Sequence, residues 1–362
     1  MSEVLYRKYR PQKFGDVLGQ EHVVKVLEAQ VESGDISHAY LFAGTRGTGK
    51  TSVARIFASA IGTSKNDIYE IDAASNTGVD DIRSLNESVN TLPFESKYKV
   101  YILDEVHMLS KSAANALLKT LEEPPSHVVF ILATTETHKI PETVLSRCQV
   151  FTFKKPSEET LKKVAQNIAK KEGFTIDSSS ADLIALLGDG SFRDTQGILQ
   201  KIISWSKDSK ISEEEVRLVT GAPKMELIHD ILSAISAGDL PKGLSAVHTA
   251  AKENIDMSVF LKLILHSARA VLLVRFGAES VIKDSLSESE FDFVTKLAKS
   301  DPSSRAEHAT GQAPTFSSQV LVELLTALEQ TSGAYIPSLP LELALVNIIG
   351  NNLEKIDKKL KN

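Results

Sequence analysis

Residues 44–51 read Gly-Thr-Arg-Gly-Thr-Gly-Lys-Thr, and no other stretch of the chain restricts its fold as sharply. Glycines at 44, 47 and 49 let the backbone bend around an anion so that its N–H groups point inward. The spacing is that of a phosphate-cradling loop, G-x-x-x-x-G-K-T. Gly44, Thr45, Gly47, Thr48 and Gly49 form the cradle, Lys50 reaches the β- and γ-phosphates of a nucleotide, and the Thr51 hydroxyl can hold Mg²⁺. Such a loop works between a buried strand and a helix whose positive N-terminal end faces the phosphates.

The flanking sequence supplies both elements. Short apolar runs at Ala39–Ala43, Ile68–Asp72, Val100–Asp104 and Val128–Thr134 have the length and β-branched content of buried parallel strands. Helical patterns lie between them, near Thr51–Ile61, Val79–Thr91 and Ser112–Leu121, the last stopped by Pro124–Pro125. Alternation of this kind predicts an α/β domain with a parallel sheet. After Phe153 the pattern predicts helices only. Ser157 reads as an N-cap with Glu158 and Glu159 in the first turn, Gly173 as a helix end, and Ser212 with Glu215 as a capping box. Gly221-Ala222-Pro223 reads as a linker. Beyond it, Leu227, Ile231 and Ile235, then Leu321, Leu324 and Leu328, fall at helical spacing, while Pro302–Phe316 is polar and loop-like. Three domains are expected, at residues 1–156, 157–221 and 222–362.

The second apolar strand after the loop ends in Asp104-Glu105. A carboxylate at a strand end beside a phosphate loop can hold Mg²⁺, which is the expectation for Asp104. Glu105 is then placed to orient or deprotonate the attacking water. The next strand ends in Thr134-Thr135, where a hydroxyl could contact the γ-phosphate or that water.

Composition narrows the setting. A net charge of −6 argues against a generally basic nucleic-acid coat, although local phosphate contacts need few donors. One cysteine, Cys148, can form neither an internal disulfide nor a zinc cage, which points to the cytoplasm. No secretory leader is expected at the N-terminus and no membrane span is expected from the apolar runs.

Beyond these features, several stretches resemble the gamma/tau family of bacterial clamp-loader subunits: Tyr9-Arg10-Pro11, Val17-Leu18-Gly19-Gln20-Glu21-His22, Ile71–Ser75, Asp104–Leu109, Asn115–Lys119, Leu121–Pro125, Ser146-Arg147-Cys148, Gly190–Asp194 and Pro340–Leu345. The resemblance implies an AAA+ ATPase domain, a small helical lid and an all-α C-terminal collar, with five subunits in a ring. It implies ATP and Mg²⁺ as ligands. Delta- and delta-prime-like subunits, the sliding clamp and primer-template DNA are the implied partners. Arg10, Pro11, Val17 and Gly19 would flank the adenine. Thr135 would sense the γ-phosphate, Arg193 would bring the lid onto the nucleotide, and Arg147 would act on the neighbouring subunit's ATP. Asn76, Thr77 and Arg83, at a helix start, would face the DNA backbone.

The chain departs from the family at two places. Many members carry four zinc-binding cysteines where this chain has Gly62–Asp67, so no zinc is expected. The long tail of the tau form is also expected to be absent. A small subunit of an archaeal or eukaryotic clamp loader, a non-hydrolysing ring scaffold and a branch-migration helicase are the competing readings. Lys50, Thr51, Asp104 and Glu105 together speak against the scaffold.

Overall fold

The computed structural model describes residues 3–206, 208–282, 286, 288–300 and 316–350. Of the loop expected at Pro302–Phe316, residues 302–315 lie outside the described residues, as does the end of the chain. The chain folds into two compact units, residues 1–175 with 184–204, and residues 176–183 with 205–362.

The first unit is built on five parallel strands: β1 (Ala39–Ala43), β2 (Ile68–Asp72), β3 (Lys99–Asp104), β4 (Val128–Thr134) and β5 (Gln149–Thr152). Their order across the sheet is β2-β3-β4-β1-β5. The three central strands are apolar along nearly their whole length because both of their faces are covered. Alternate residues serve opposite sides. Leu41, Leu103, Phe130 and Leu132 pack on Ile82, Leu85, Leu117 and Leu121 of the helices Val79–Val89 and Lys111–Glu122. Tyr40, Phe42, Ile102 and Ile131 pack on Val23, Leu27, Val53 and Phe57 of the helices Glu21–Ser33 and Lys50–Ala60.

The four strands expected from sequence are all present. The fifth, β5, was not among them. It lies at the sheet edge, and Gln149, Val150 and Thr152 are exposed, so it lacks the apolar run that marks its neighbours. The expectation of helices alone after Phe153 also needs correction, since two-residue strands occur at Thr175–Ile176 and Lys210–Ile211. These pieces are too short to leave a periodic signal.

The helix ends follow the expected chemistry. Ser157 accepts a hydrogen bond from the Thr160 N–H, with Glu158 and Glu159 in the first turn. Gly173 takes a positive φ of 84°, just past the end of that helix. Ser212 and Glu215 form the reciprocal capping box at the start of Glu213–Thr220, and Gly221 ends that helix in the left-handed conformation.

The second unit, over its described residues, is mainly helical, with Met225–Ala237, Leu240–Lys252, Met257–Arg275, Glu288–Ser300, Ser318–Thr331 and Leu339–Leu345 as its main helices. Met257–Arg275 packs against Glu288–Ser300 and Ser318–Thr331. It is the one helix among the described residues long and apolar enough to cross a membrane, but half of it is buried inside the unit. Phe260, Leu261, Ile264 and Val271 are its core residues, so its apolarity is accounted for by packing.

Candidate active site

Because the sheet is parallel, the C-terminal ends of all its strands lie along one edge, and loops leaving that edge converge. The strand order places β4 between β1, which feeds the glycine loop, and β3, which ends in Asp104. Ala43 pairs with Thr134, and the Gly44 N–H donates to the Thr134 carbonyl at 3.1 Å. The glycine loop, Asp104-Glu105 and Thr134-Thr135 are therefore neighbours by topology.

Within the loop, Gly47 and Gly49 have φ of 75° and 101°, in the region side chains disfavour. Gly47 is further constrained by space, since a Cβ there would meet the Ser191 Oγ at 1.9 Å. The Phe192 N–H donates to the Gly47 carbonyl at 2.9 Å, which joins the loop to the start of the helix Phe192–Trp205. Thr48 is buried and donates its hydroxyl to the Thr45 carbonyl at 2.9 Å.

Lys50 is buried at the first position of its helix. Its Nζ donates to the carbonyls of Gly44 and Thr45 at 2.9 and 3.0 Å, so the ammonium sits under the loop. Burial lowers its pKa from the ordinary lysine value, while the carboxylates of Glu105 and Asp104 oppose that shift. The Thr51 hydroxyl donates to Asp104 Oδ2 at 2.8 Å. A hydroxyl and a carboxylate side by side are hard oxygen donors of the kind Mg²⁺ takes, so the pair fits that ion.

Glu105 follows with a left-handed backbone, φ 50° and ψ 45°, unusual for a side chain of its size. Its N–H donates to Asp104 Oδ1 at 3.0 Å. Its Oε2 accepts from the Thr135 hydroxyl at 2.9 Å and the Thr135 N–H at 3.2 Å. The carboxylate expected to handle water and the threonine expected to sense phosphate thus touch each other.

A cavity of about 960 Å³ opens over the loop. Arg10, Pro11 and Val17 line it together with Lys50, Thr51, Asp104, Glu105 and Arg193, and its size suits a nucleotide. Gly19 does not line it. That residue has φ 72° and donates its N–H to Glu21 Oε1 at 2.9 Å, which makes it a turn ahead of the next helix. Burial lowers the Arg10 pKa, and the nearby Arg55 charge adds to the effect. The Arg193 guanidinium lies over the Tyr6 ring, 5.1 Å from its centroid.

The remaining expected residues lie elsewhere. Arg147 pairs with Glu122 at 2.6 Å and donates to the Thr143 carbonyl at 2.7 Å. It stands two residues before Gln149, which pairs with Tyr40, so it lies toward the opposite edge of the sheet. At about 3.3 Å of rise per residue, the start of β5 at Gln149 is on the order of 13 Å along the strands from the glycine loop. Arg83 forms an exposed ion pair with Asp80 at 2.9 Å. Asn76 donates its side-chain amide to the Asp72 carbonyl, and the Thr77 carbonyl accepts from the Ser110 N–H.

The family model for "DNA polymerase III, delta subunit" matches residues 19–75 and 62–157, and the one for "DNA polymerase III subunits gamma and tau domain III" matches residues 211–362. DNA polymerase III subunit tau of Bacillus subtilis is 40% identical over 78% of this chain and 54% of its own length. The gamma/tau subunit of Mycoplasma pneumoniae is 38% identical over 79% of this chain and 45% of its own, and Escherichia coli subunit tau is 36% identical over 78% and 47%. The chain belongs to the DNA polymerase III gamma/tau family. It spans about half the length of these gamma/tau relatives. Among solved structures, the Thermotoga maritima RuvB Holliday junction branch migration motor aligns with a TM-score of 0.51 at 24% identity, covering 63% of this chain and 79% of that one. That likeness concerns the fold alone.

Three residues of this gamma/tau-family site are not singled out by sequence reasoning. Gln20 is fully buried and clasps two segments, donating to the carbonyls of Thr48 at 3.3 Å and Lys154 at 2.7 Å while its Oε1 accepts from the Lys154 N–H. Tyr6 carries Arg193. His107 lies beside Glu105. Gln20 and His107 both fall within stretches that resemble the family, but their partners become visible only once the chain is folded.

Proposed function

We propose that this gamma/tau-family chain is the ATP-hydrolysing subunit of a DNA clamp loader, working in the DNA polymerase III holoenzyme to place a sliding clamp on primed DNA. One observation carries the reading: Lys50, the Thr51–Asp104 pair and the Glu105–Thr135 pair converge at one sheet edge, beneath a cavity of nucleotide size. A scaffold subunit would have no need of the full set.

In this reading the loop N–H groups and Lys50 bind the β- and γ-phosphates, and Arg10, Pro11 and Val17 face the base. Thr51 and Asp104 would hold Mg²⁺, which would neutralise phosphate charge when bound. Glu105 takes a proton from, or orients, the attacking water, and Thr135 fixes the carboxylate. Arg193 exchanges the Tyr6 ring for phosphate oxygens when nucleotide enters. Arg147 leaves Glu122 to meet the ATP of the next subunit, where a permanent guanidinium charge stabilises the transferring phosphoryl group.

The lid of residues 157–221 and collar of residues 222–362 belong to the same proposal, as do a five-subunit ring with delta- and delta-prime-like partners and a cytoplasmic location. So do backbone contacts to DNA from the Asn76–Arg83 region and the absence of zinc. Cys148, the one cysteine, has its thiol pKa pushed up to about 11 by burial, which suits a packing residue better than a ligand.

The deciding experiment is an ATPase assay of the chain with clamp, primed DNA and partner subunits. Strong stimulation by clamp and DNA together is expected. Turnover indifferent to both would overturn the clamp-loader reading.

A further inference from the structure

Four residues near the Glu105 carboxylate, His107, Thr134, Glu136 and Lys139, form a chain of contacts that the proposed reaction does not use. Glu105 opens a tight turn, Val106–Met108, and its own left-handed backbone folds that turn back toward the strand ends. The turn carries the His107 ring inward, so that its side chain is only 5% exposed. His107 Nδ1 then lies 3.3 Å from Glu105 Oε2 and 3.1 Å from the Thr134 Oγ1. On the far side of the ring, Nε2 lies 3.5 Å from Glu136 Oε1. Glu136 is itself anchored, since the Lys139 ammonium lies 2.7 Å from its other oxygen and its N–H donates to Thr134 Oγ1 at 3.0 Å.

We propose that His107 is a positioning residue that holds Glu105 in the one orientation from which it can act on water. The proposal rests on the reading of Glu105 as the water-handling carboxylate and deepens it. A glutamate side chain has three rotatable bonds, and a carboxylate at a cavity wall would otherwise sample several rotamers. Here a single oxygen, Oε2, faces the Thr135 hydroxyl, the Thr135 N–H and the His107 ring together. That leaves Oε1 as the oxygen turned to the attacking water. Thr135 alone approaches Oε2 from the end of β4, and His107 closes the other side from the turn after β3. The ring is fixed in turn by Thr134 and Glu136, so the geometry is passed from a surface ion pair, Glu136–Lys139, to the carboxylate.

The test compares His107→Ala, His107→Asn and Glu105→Gln in the full chain reconstituted with its partner subunits, clamp and primed DNA. Steady-state hydrolysis and nucleotide affinity by titration are measured for each. Misplacing a reacting group by about 1 Å costs up to about 100-fold, so His107→Ala is expected to lower kcat by roughly 10- to 100-fold with nucleotide affinity within about twofold of wild type. Asparagine can set an amide nitrogen where Nδ1 stands, and His107→Asn should recover kcat to within about threefold of wild type. Thr134→Val, which keeps the side-chain shape and removes the hydroxyl beside the ring, should lower kcat alone and more mildly; it covers the case in which His107→Ala does not fold.

Unchanged kcat in His107→Ala, or in Thr134→Val where His107→Ala does not fold, overturns the proposal. So does a fall in affinity that matches the fall in kcat, or His107→Asn no better than His107→Ala. Glu105→Gln separates the two layers. If it turns over like wild type, the reading of Glu105 fails; if it is dead while His107→Ala is unaffected, only the role of His107 fails.

Discussion

The two edges of the central sheet are made from the same five strands and do opposite work. At the C-terminal edge, charged and hydroxyl side chains from three strand ends meet one another, with Lys50 under its loop, Thr51 on Asp104 and Thr135 on Glu105, and all of these but Thr135 line one cavity. At the N-terminal edge, polar side chains are spent on the protein itself. Asp67, just before β2, accepts from the N–H groups of Phe94, Glu95 and Ser96. Lys99, at the start of β3, donates to the Ser88 carbonyl and the Thr91 hydroxyl. Arg147, ahead of β5, is held by Glu122. At the chemical edge the polar side chains line a cavity open to a ligand, and at the structural edge they are held by other parts of the chain. Arg147 is the exception the family reading demands, a structurally satisfied residue proposed to change partners on assembly.

The contrast can be broken most severely at Glu105. Replacement by glutamine keeps the shape and removes the base, so turnover should fall by about 10²- to 10⁴-fold while ATP still binds. A rapid-quench assay beside a binding titration reads both; turnover near wild type would show that the edge has been misassigned.

Lys50→Ala comes next. It removes the cation placed for the phosphates and the donor that braces Gly44 and Thr45. With charged hydrogen bonds contributing roughly 1.5–3 kcal/mol each, ATP affinity should drop by about 100-fold or more. Titration with a fluorescent nucleotide is the check, and unchanged affinity contradicts the site.

Asp67→Ala should spare ATP affinity and lower stability instead. It removes the acceptor of three N–H groups that belong to the exposed residues Phe94 and Glu95 and the half-buried Ser96, where water can replace part of the loss, so with a charged hydrogen bond contributing roughly 1.5–3 kcal/mol a total loss of about that size is expected by denaturant unfolding. Burial pulls the Asp67 pKa upward, but the three N–H donors and the Ser96 hydroxyl outweigh it and set the pKa at about 2, below the ordinary 3.8. A depressed carboxylate contributes stability that is complete above the unfolded value and lost as pH falls through the folded one. Its contribution should therefore disappear between about pH 4 and pH 2, and the mutant should lack that part of the acid transition. The smallest expected signal is in metal content, where purified, tag-free protein should carry no stoichiometric zinc. One zinc per chain would show that the missing cysteines have been replaced by other ligands.

How much of this was legible beforehand follows from where the signals arise. β1, β3 and β4 announce themselves because both faces are buried and each reads as an unbroken apolar run. The glycine loop is legible because its backbone demands a local residue pattern, and Asp104-Glu105 because they end one of those runs. β5 is not legible, since an exposed edge strand needs no such run. Nor are the partners of Gln20, His107 and Arg147, because Lys154, Glu136 and Glu122 meet them through tertiary folding that leaves no periodic trace. The resemblance names Arg147 as a trans residue; the β1–β5 register adds only that it precedes the start of β5, at the end of the sheet away from the glycine loop.

The central claim is that each chain completes its own binding edge but borrows one arginine for hydrolysis. Mixing Arg147→Ala chains with Lys50→Ala chains in the reconstituted loader tests it most directly. Arg147→Ala alone should bind ATP like wild type and show no DNA-stimulated turnover, since an arginine supplied in trans is worth about 10³- to 10⁵-fold in kcat. In the mixture, interfaces that join an intact loop to an intact Arg147 should recover a measurable fraction of wild-type hydrolysis. No recovery at any ratio, together with lost ATP binding by Arg147→Ala alone, would contradict the account and return Arg147 to the fold of its own chain.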